Sequence, residues 1–164
     1  MVGVALGSLL LIGVASLYLY SLKSFSSMSN YADLSSKNRH ASDIVSRDIR
    51  SAISIASVTT NQLVLNAGSG GSIVYTVSPA TNNPQGILTR DYAGETNTLL
   101  KGVSGLMFSL YQRPTNGAAY EAFPAATAAN AKFVAFEWSC SRSVYLTEKD
   151  SQSVETALVE LRNQ

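Results

Sequence analysis

One histidine, His40, and one cysteine, Cys140, are the whole supply of imidazole and thiol in this 164-residue sequence. A zinc cage draws on several such side chains, and a thiol nucleophile needs a base beside it. His40 has no second metal ligand four residues away and belongs to the wet face of a helix, where a histidine is a solvated side chain. Cys140 falls with Val134, Phe136 and Trp138 on one face of an alternating strand, which makes Trp138 and Cys140 core residues rather than a binding platform and a nucleophile. The glycine-rich Ala67 to Ser72 lacks the lysine of a phosphate loop and precedes a strand, so it reads as a hairpin turn. Glu148, Asp150 and Glu155 could share a cation, but their setting reads as a solvated loop. No catalytic, cofactor-binding or metal-ligating set can be assembled from these parts. The chemistry that remains is charge: Val45-Ser46-Arg47-Asp48-Ile49-Arg50-Ser51-Ala52-Ile53 sets three charges in an otherwise apolar-periodic segment.

The element that must position those charges is a helix, and it begins in a different solvent. Residues 1–22 contain no charge and no proline. As a helix they would extend about 33 Å at ~1.5 Å per residue, enough for the roughly 30 Å hydrocarbon core of a bilayer. Tyr18, Tyr20 and Lys23 make an interfacial end. A cleaved secretory signal is the competing reading, with Val14-Ala15-Ser16 as its cleavage site, but no basic region precedes the apolar run and the run continues past that site. Gly3 and Gly7 are spaced as a small-xxx-small pair that lets another helix approach closely, although glycine is common in membrane helices generally. Lys23, Lys37 and Arg39 all come after the run. By the positive-inside rule alone, the C-terminal domain would stay in the cytoplasm unless basic residues precede Met1.

Beyond Ser24 the helix is predicted to continue to residue 58 as an amphipathic half, residues 23–58. Leu34, Ala41, Ile44, Val45, Ile49, Ala52, Ile53 and Ala56 recur at spacings of three, four and seven. Of these, Ile44, Val45, Ile49 and Ile53 are the expected contact with a core. Asp33 and Lys37, then Arg39, Asp43 and Arg47, step by four on the other face and can pair along the surface. Arg47, Asp48 and Arg50 are assigned to water or to a neighbouring subunit.

From Thr59 the period becomes two, and residues 59–164 form an antiparallel β-sheet domain. Gln62 to Asn66, Ser72 to Val77, Ile87 to Asp91, Leu106 to Tyr111, Phe133 to Cys140 and Val154 to Arg162 read as strands, with Ser78 to Gly86 as a turn-rich connection. Residues 115–131, low in charge and rich in alanine, read as a long loop of the partner-facing kind. The class is α+β: one anchor and one domain. The near-neutral balance, a net charge of +1, argues against nucleic acid.

An apolar N-terminal helix running unbroken into an amphipathic half and then into an antiparallel sheet resembles the type IV pilin-like superfamily. Ser46-Arg47-Asp48-Ile49-Arg50-Ser51-Ala52, Ile87-Leu88-Thr89-Arg90, Leu99-Leu100-Lys101-Gly102-Val103-Ser104-Gly105-Leu106-Met107-Phe108 and Leu158-Val159-Glu160-Leu161-Arg162-Asn163 come in the order found in two groups. These are the J-type minor pseudopilins of type II secretion and the W-type minor pilins of type IV pili. The resemblance implies a pilin-like fold and a non-enzymatic subunit that primes or caps a filament, without cofactor or small-molecule substrate. It implies that Gly3, Leu6, Gly7, Leu10, Leu11 and Val14 pack against other pilin-like subunits. It also implies a single inner-membrane pass with the sheet domain in the periplasm or outside the cell. Family members carry a basic leader, a cleavage glycine and a Phe-Thr-Leu-x-Glu start, and Met1-Val2-Gly3-Val4-Ala5 resembles the residues just after that glutamate. A leader of this kind is therefore expected upstream of Met1, which would supply the missing basic residues. The alternatives are a stand-alone membrane-tethered binding or adhesive domain using residues 115–131, and, more remotely, a tethered hydrolase.

Overall fold

A computed structural model describes residues 2–68, 70–80, 83–113, 123–124, 127–142 and 151–162. One helix, α1 (Val2–Ser51), runs without interruption from the apolar segment into the domain. It ends where Ala52 N–H donates to the Asp48 carbonyl at 2.9 Å and Ile53 N–H already reaches the Asn66 carbonyl of the sheet at 2.9 Å. The predicted extension to residue 58 is thus corrected: β1 (Ser54–Thr59) occupies that stretch. Ile53, Ile55, Val58, Thr59 and Thr60 are β-branched, and strand pairing outweighs the helical spacing that Ile53 and Ala56 also satisfy.

β2 (Gln62–Asn66), β3 (Ser72–Ala80), β4 (Asn83–Tyr92), β5 (Glu95–Gln112), β6 (Phe123–Pro124), β7 (Phe133–Arg142) and β8 (Ser151–Glu160) complete the sheet. Seven strands lie in the order β1-β2-β3-β4-β5-β7-β8, with every neighbouring pair antiparallel, and β6 pairs with the end of β5. The hairpin expected at Ala67 to Ser72 joins β2 to β3, with Ala67 N–H bonded to the Gly71 carbonyl at 2.8 Å. The turn-rich 78–86 stretch is mostly strand, because Ser78 and Pro79 stay in register with Ile87 and Gly86.

The 18-residue β5 serves two neighbours: Glu95 to Val103 pair with β4, and Val103 to Tyr111 pair with β7. Gly102 sits at the handover with φ +81°, and a Cβ there would stand 2.6 Å from the Ser141 carbonyl oxygen. Both the left-handed backbone and the close strand approach call for glycine.

The core lies between α1 and the inner face of the sheet. Leu34, Ala41, Val45 and Ile49 enter from the helix to meet Leu63, Leu65, Leu88, Phe136 and Trp138. α1 lies chiefly along β8 and also touches β5 and β7. Of the four helix residues expected in this contact, Val45 and Ile49 are fully buried and Ile44 is half-buried. Ile53 is corrected: it is 48% exposed, because the chain has left the helix and the residue sits at the sheet edge over Gly68. Ala56 is also exposed.

Candidate functional site

The uncharged start of α1, residues 2–22, is exposed along its whole length. Its most apolar 18-residue window has a mean hydropathy of 2.2 and none of it is buried, a length and composition that can cross a membrane. Gly3, Leu6, Gly7, Leu10, Leu11 and Val14 are all exposed on this rod. A Cβ added at Gly3 or Gly7 would meet nothing within 4 Å, so neither glycine serves the fold of the single chain. The exposed apolar surface continues past the span through Phe25 and Met28, which are 74% and 75% exposed.

The second half is held by polar clasps as well as by apolar packing. Asp48, assigned outward by its charge, is buried at 6% exposure. Tyr75 Oη on β3 donates to its Oδ2 at 2.6 Å, and Arg90 Nε on β4 donates to the same oxygen at 2.6 Å. The Arg90 guanidinium also lies 5.2 Å over the Tyr92 ring. Burial pushes the Tyr75 hydroxyl well above the usual phenol range, and its bond to the Asp48 carboxylate adds to this. Burial by itself would lower Arg90; the carboxylate outweighs it and holds the guanidinium above its ordinary value. Asp48 is one turn from Val45 and Ala52 on the packed side of the helix, so its position rather than its type decided its burial.

Asn38 is the second clasp. Fully buried, it accepts from Trp138 Nε1 at 3.3 Å and donates to the Ser153 carbonyl of β8 at 3.4 Å, tying the helix to two strands. Sequence reading missed it. The available signal was a polar residue at the position between Leu34 and Ala41 where the helical period calls for an apolar one. Nearer the uncharged run, the expected Asp33–Lys37 pair forms at 2.9 Å, and Arg142 of β7 adds a second bond to the same carboxylate oxygen at 2.9 Å. Lys37 first and Arg142 second hold the Asp33 carboxyl below its usual range. Ser151 Oγ donates to the Ser27 carbonyl at 3.1 Å, so β8 reaches the helix close to where the uncharged run ends.

Cys140 lies fully buried in β7, as its alternation predicted, and burial pushes its thiol up to about 11. At pH 8 it is therefore protonated as well as inaccessible. Native protein is expected to resist alkylation by iodoacetamide at pH 8 and to label stoichiometrically in denaturant; rapid labelling without denaturant would contradict the core placement. His40 is exposed on the helix, and among the described residues no group of three or more His, Cys, Asp or Glu side chains could hold a metal ion. Glu148 and Asp150 lie outside the described residues, as does most of the 115–131 loop, while Glu155 is half-buried on β8. A hollow of about 540 Å³ forms an open groove between Tyr20, Lys23, Met28 and Tyr31 of the helix and Ser151 and Gln152 of β8. It brings together no carboxylate or imidazole that could act as an acid–base pair with its hydroxyls. Compared with family models, with curated proteins and with solved structures, the chain finds no match in any of the three.

Proposed function

We propose that this chain is a minor pilin or pseudopilin subunit, a non-enzymatic component that primes or caps a type II secretion pseudopilus or a type IV pilus. The observation that carries the reading is the division of one 50-residue helix into two solvent regimes. Its uncharged first half is wholly exposed, whereas its second half is clasped to an antiparallel sheet by Asn38 and Asp48. Such a helix is stored in lipid and, on assembly, exchanges lipid contacts for contacts with equivalent helices at modest net cost. The subunit would sit in the inner membrane with a single pass, its sheet domain in the periplasm or outside the cell. The order of the motifs around Arg47, Arg90, Gly102 and Leu161 supports the J-type or W-type minor subunit as the nearest kin.

Gly7→Leu tests this. The substitution keeps the segment apolar, residue 7 is exposed and a Cβ there meets no atom within 4 Å, so membrane level and fold should be unchanged. Bulk at a close helix approach should cut recovery of co-purifying pilin-like subunits, and secretion or piliation, by roughly tenfold at matched membrane levels. A stand-alone tethered binding domain would be indifferent to the change. Recovery of no pilin-like subunit with the parent protein would count against the assembly reading, and equal recovery would remove Gly7 from the interface.

A further inference from the structure

The side of α1 turned away from the sheet carries Arg39, Asp43 and Arg47, all exposed, while Leu34, Ala41, Val45 and Ile49 occupy the packed side; Arg50 instead borders a hollow with Lys132, Glu160 and Arg162 at the end of β8. The expected Arg39–Asp43–Arg47 ladder does not close: among the described residues none of these arginines makes an ion pair. Two guanidinium groups and one carboxylate therefore face outward along about two turns of helix. This row also continues the apolar surface below it. Gly7, Phe25 and Asp43 are spaced at 18-residue intervals, five turns each at ~3.6 residues per turn, so all three lie on one side of the helix.

We propose that this side of α1 is a docking face for a helix of a different pilin-like subunit, one carrying carboxylates opposite Arg39 and Arg47. The inference rests on the assembly reading above and adds the chemistry of the partner. A second copy of this chain is a poor occupant, because its matching face sets arginines against arginines with a single aspartate between them, and like charges across an interface select against a partner. Its other helix carboxylates are already engaged, Asp33 by Lys37 and Arg142, and Asp48 by Tyr75 and Arg90. An anionic lipid surface does not fit either. Arg39 stands about 25 Å along the helix from Leu22 at ~1.5 Å per residue, well beyond a headgroup layer of roughly 5–8 Å.

The experiment uses the full chain in its native membrane, with the photo-crosslinking residue p-benzoylphenylalanine in place of exposed Ser36, on the same side of the helix. The parent protein should crosslink to the helix of another pilin-like subunit at a segment bearing at least two carboxylates. Arg39→Glu/Arg47→Glu should reduce that crosslink by about tenfold or more at matched membrane level, and reversing the partner's carboxylates to lysine should restore it. Arg39→Gln/Arg47→Gln, which removes charge without repulsion, should fall between. An unchanged crosslink in the Glu variant, a crosslinked segment without carboxylates, or a crosslink to a second copy of this chain would overturn the inference while leaving the assembly reading to the Gly7→Leu result. Capture of no pilin-like subunit by the parent would overturn both.

Discussion

Asp48→Ala is expected to cost about 3–5 kcal/mol of stability, because it strips a half-buried guanidinium and a buried phenol of the carboxylate oxygen to which both donate. The exposed arginines on the same helix set the contrast. Arg47 and Arg50 touch no carboxylate among the described residues, and replacing either should change folding by less than about 0.5 kcal/mol. Asp48→Asn should fall between these limits, since the amide oxygen still accepts from Tyr75 while the charge opposite Arg90 is lost. The joint replacement Asp48→Leu, Tyr75→Phe and Arg90→Met removes every polar member at once and should lie much closer to the parent than Asp48→Ala does. Denaturant midpoints of a fragment beginning at Ser24 measure all of these. A midpoint for Asp48→Ala within error of the parent would show that the clasp does not hold the helix to β3 and β4.

Ile49→Asp should cost about 4 kcal/mol or more in the same fragment, and here the mechanism is desolvation without compensation. Ile49 is completely buried in the core formed by α1 and the sheet. A carboxylate at this point would lie one residue from Asp48, whose Oδ2 already engages Tyr75 and Arg90. Ile49→Val, which only removes a methylene, should cost about 0.5–1.5 kcal/mol and fixes the scale of the packing contribution. The expected order of thermal midpoints is parent, then Ile49→Val, then Ile49→Asp. An Ile49→Asp fragment that melts with the parent would mean that the helix does not pack there.

Taken together, the two variants separate the roles of the helix. Its inner side holds the domain together through Val45, Ile49, Asn38 and Asp48, while its outer side, from Gly7 through Phe25 to Arg39 and Arg47, is exposed and its arginines form no ion pair among the described residues. This division is what the proposed assembly role uses: variants on the inner side should unfold the fragment, and variants on the outer side should leave it folded and change only its company.

Several features were legible from residue order alone because they depend on neighbours in sequence. The uncharged run has by itself the length and composition that can cross a membrane, and its most apolar window is unburied in the fold. The alternation of Val134, Phe136, Trp138 and Cys140 determines which side of the strand is dry, whatever the strand packs against. The glycine-rich Ala67 to Ser72 determines its turn locally. Three other features were decided only by the tertiary structure. Asn38 and Asp48 are buried because acceptors and donors from strands 27 to 115 residues away meet them, and periodicity, which averages polarity over one helix face, has no access to such partners. The end of α1 at Ser51 rather than residue 58 was a contest between two acceptable local patterns, settled when β2 offered β1 a ladder of hydrogen bonds. The handover of β5 from β4 to β7 at Gly102 likewise depends on a carbonyl of Ser141, brought within reach only when β7 pairs with β5. Local sequence specifies the solvent each segment prefers; the pairing of distant polar groups specifies which of those preferences is overruled.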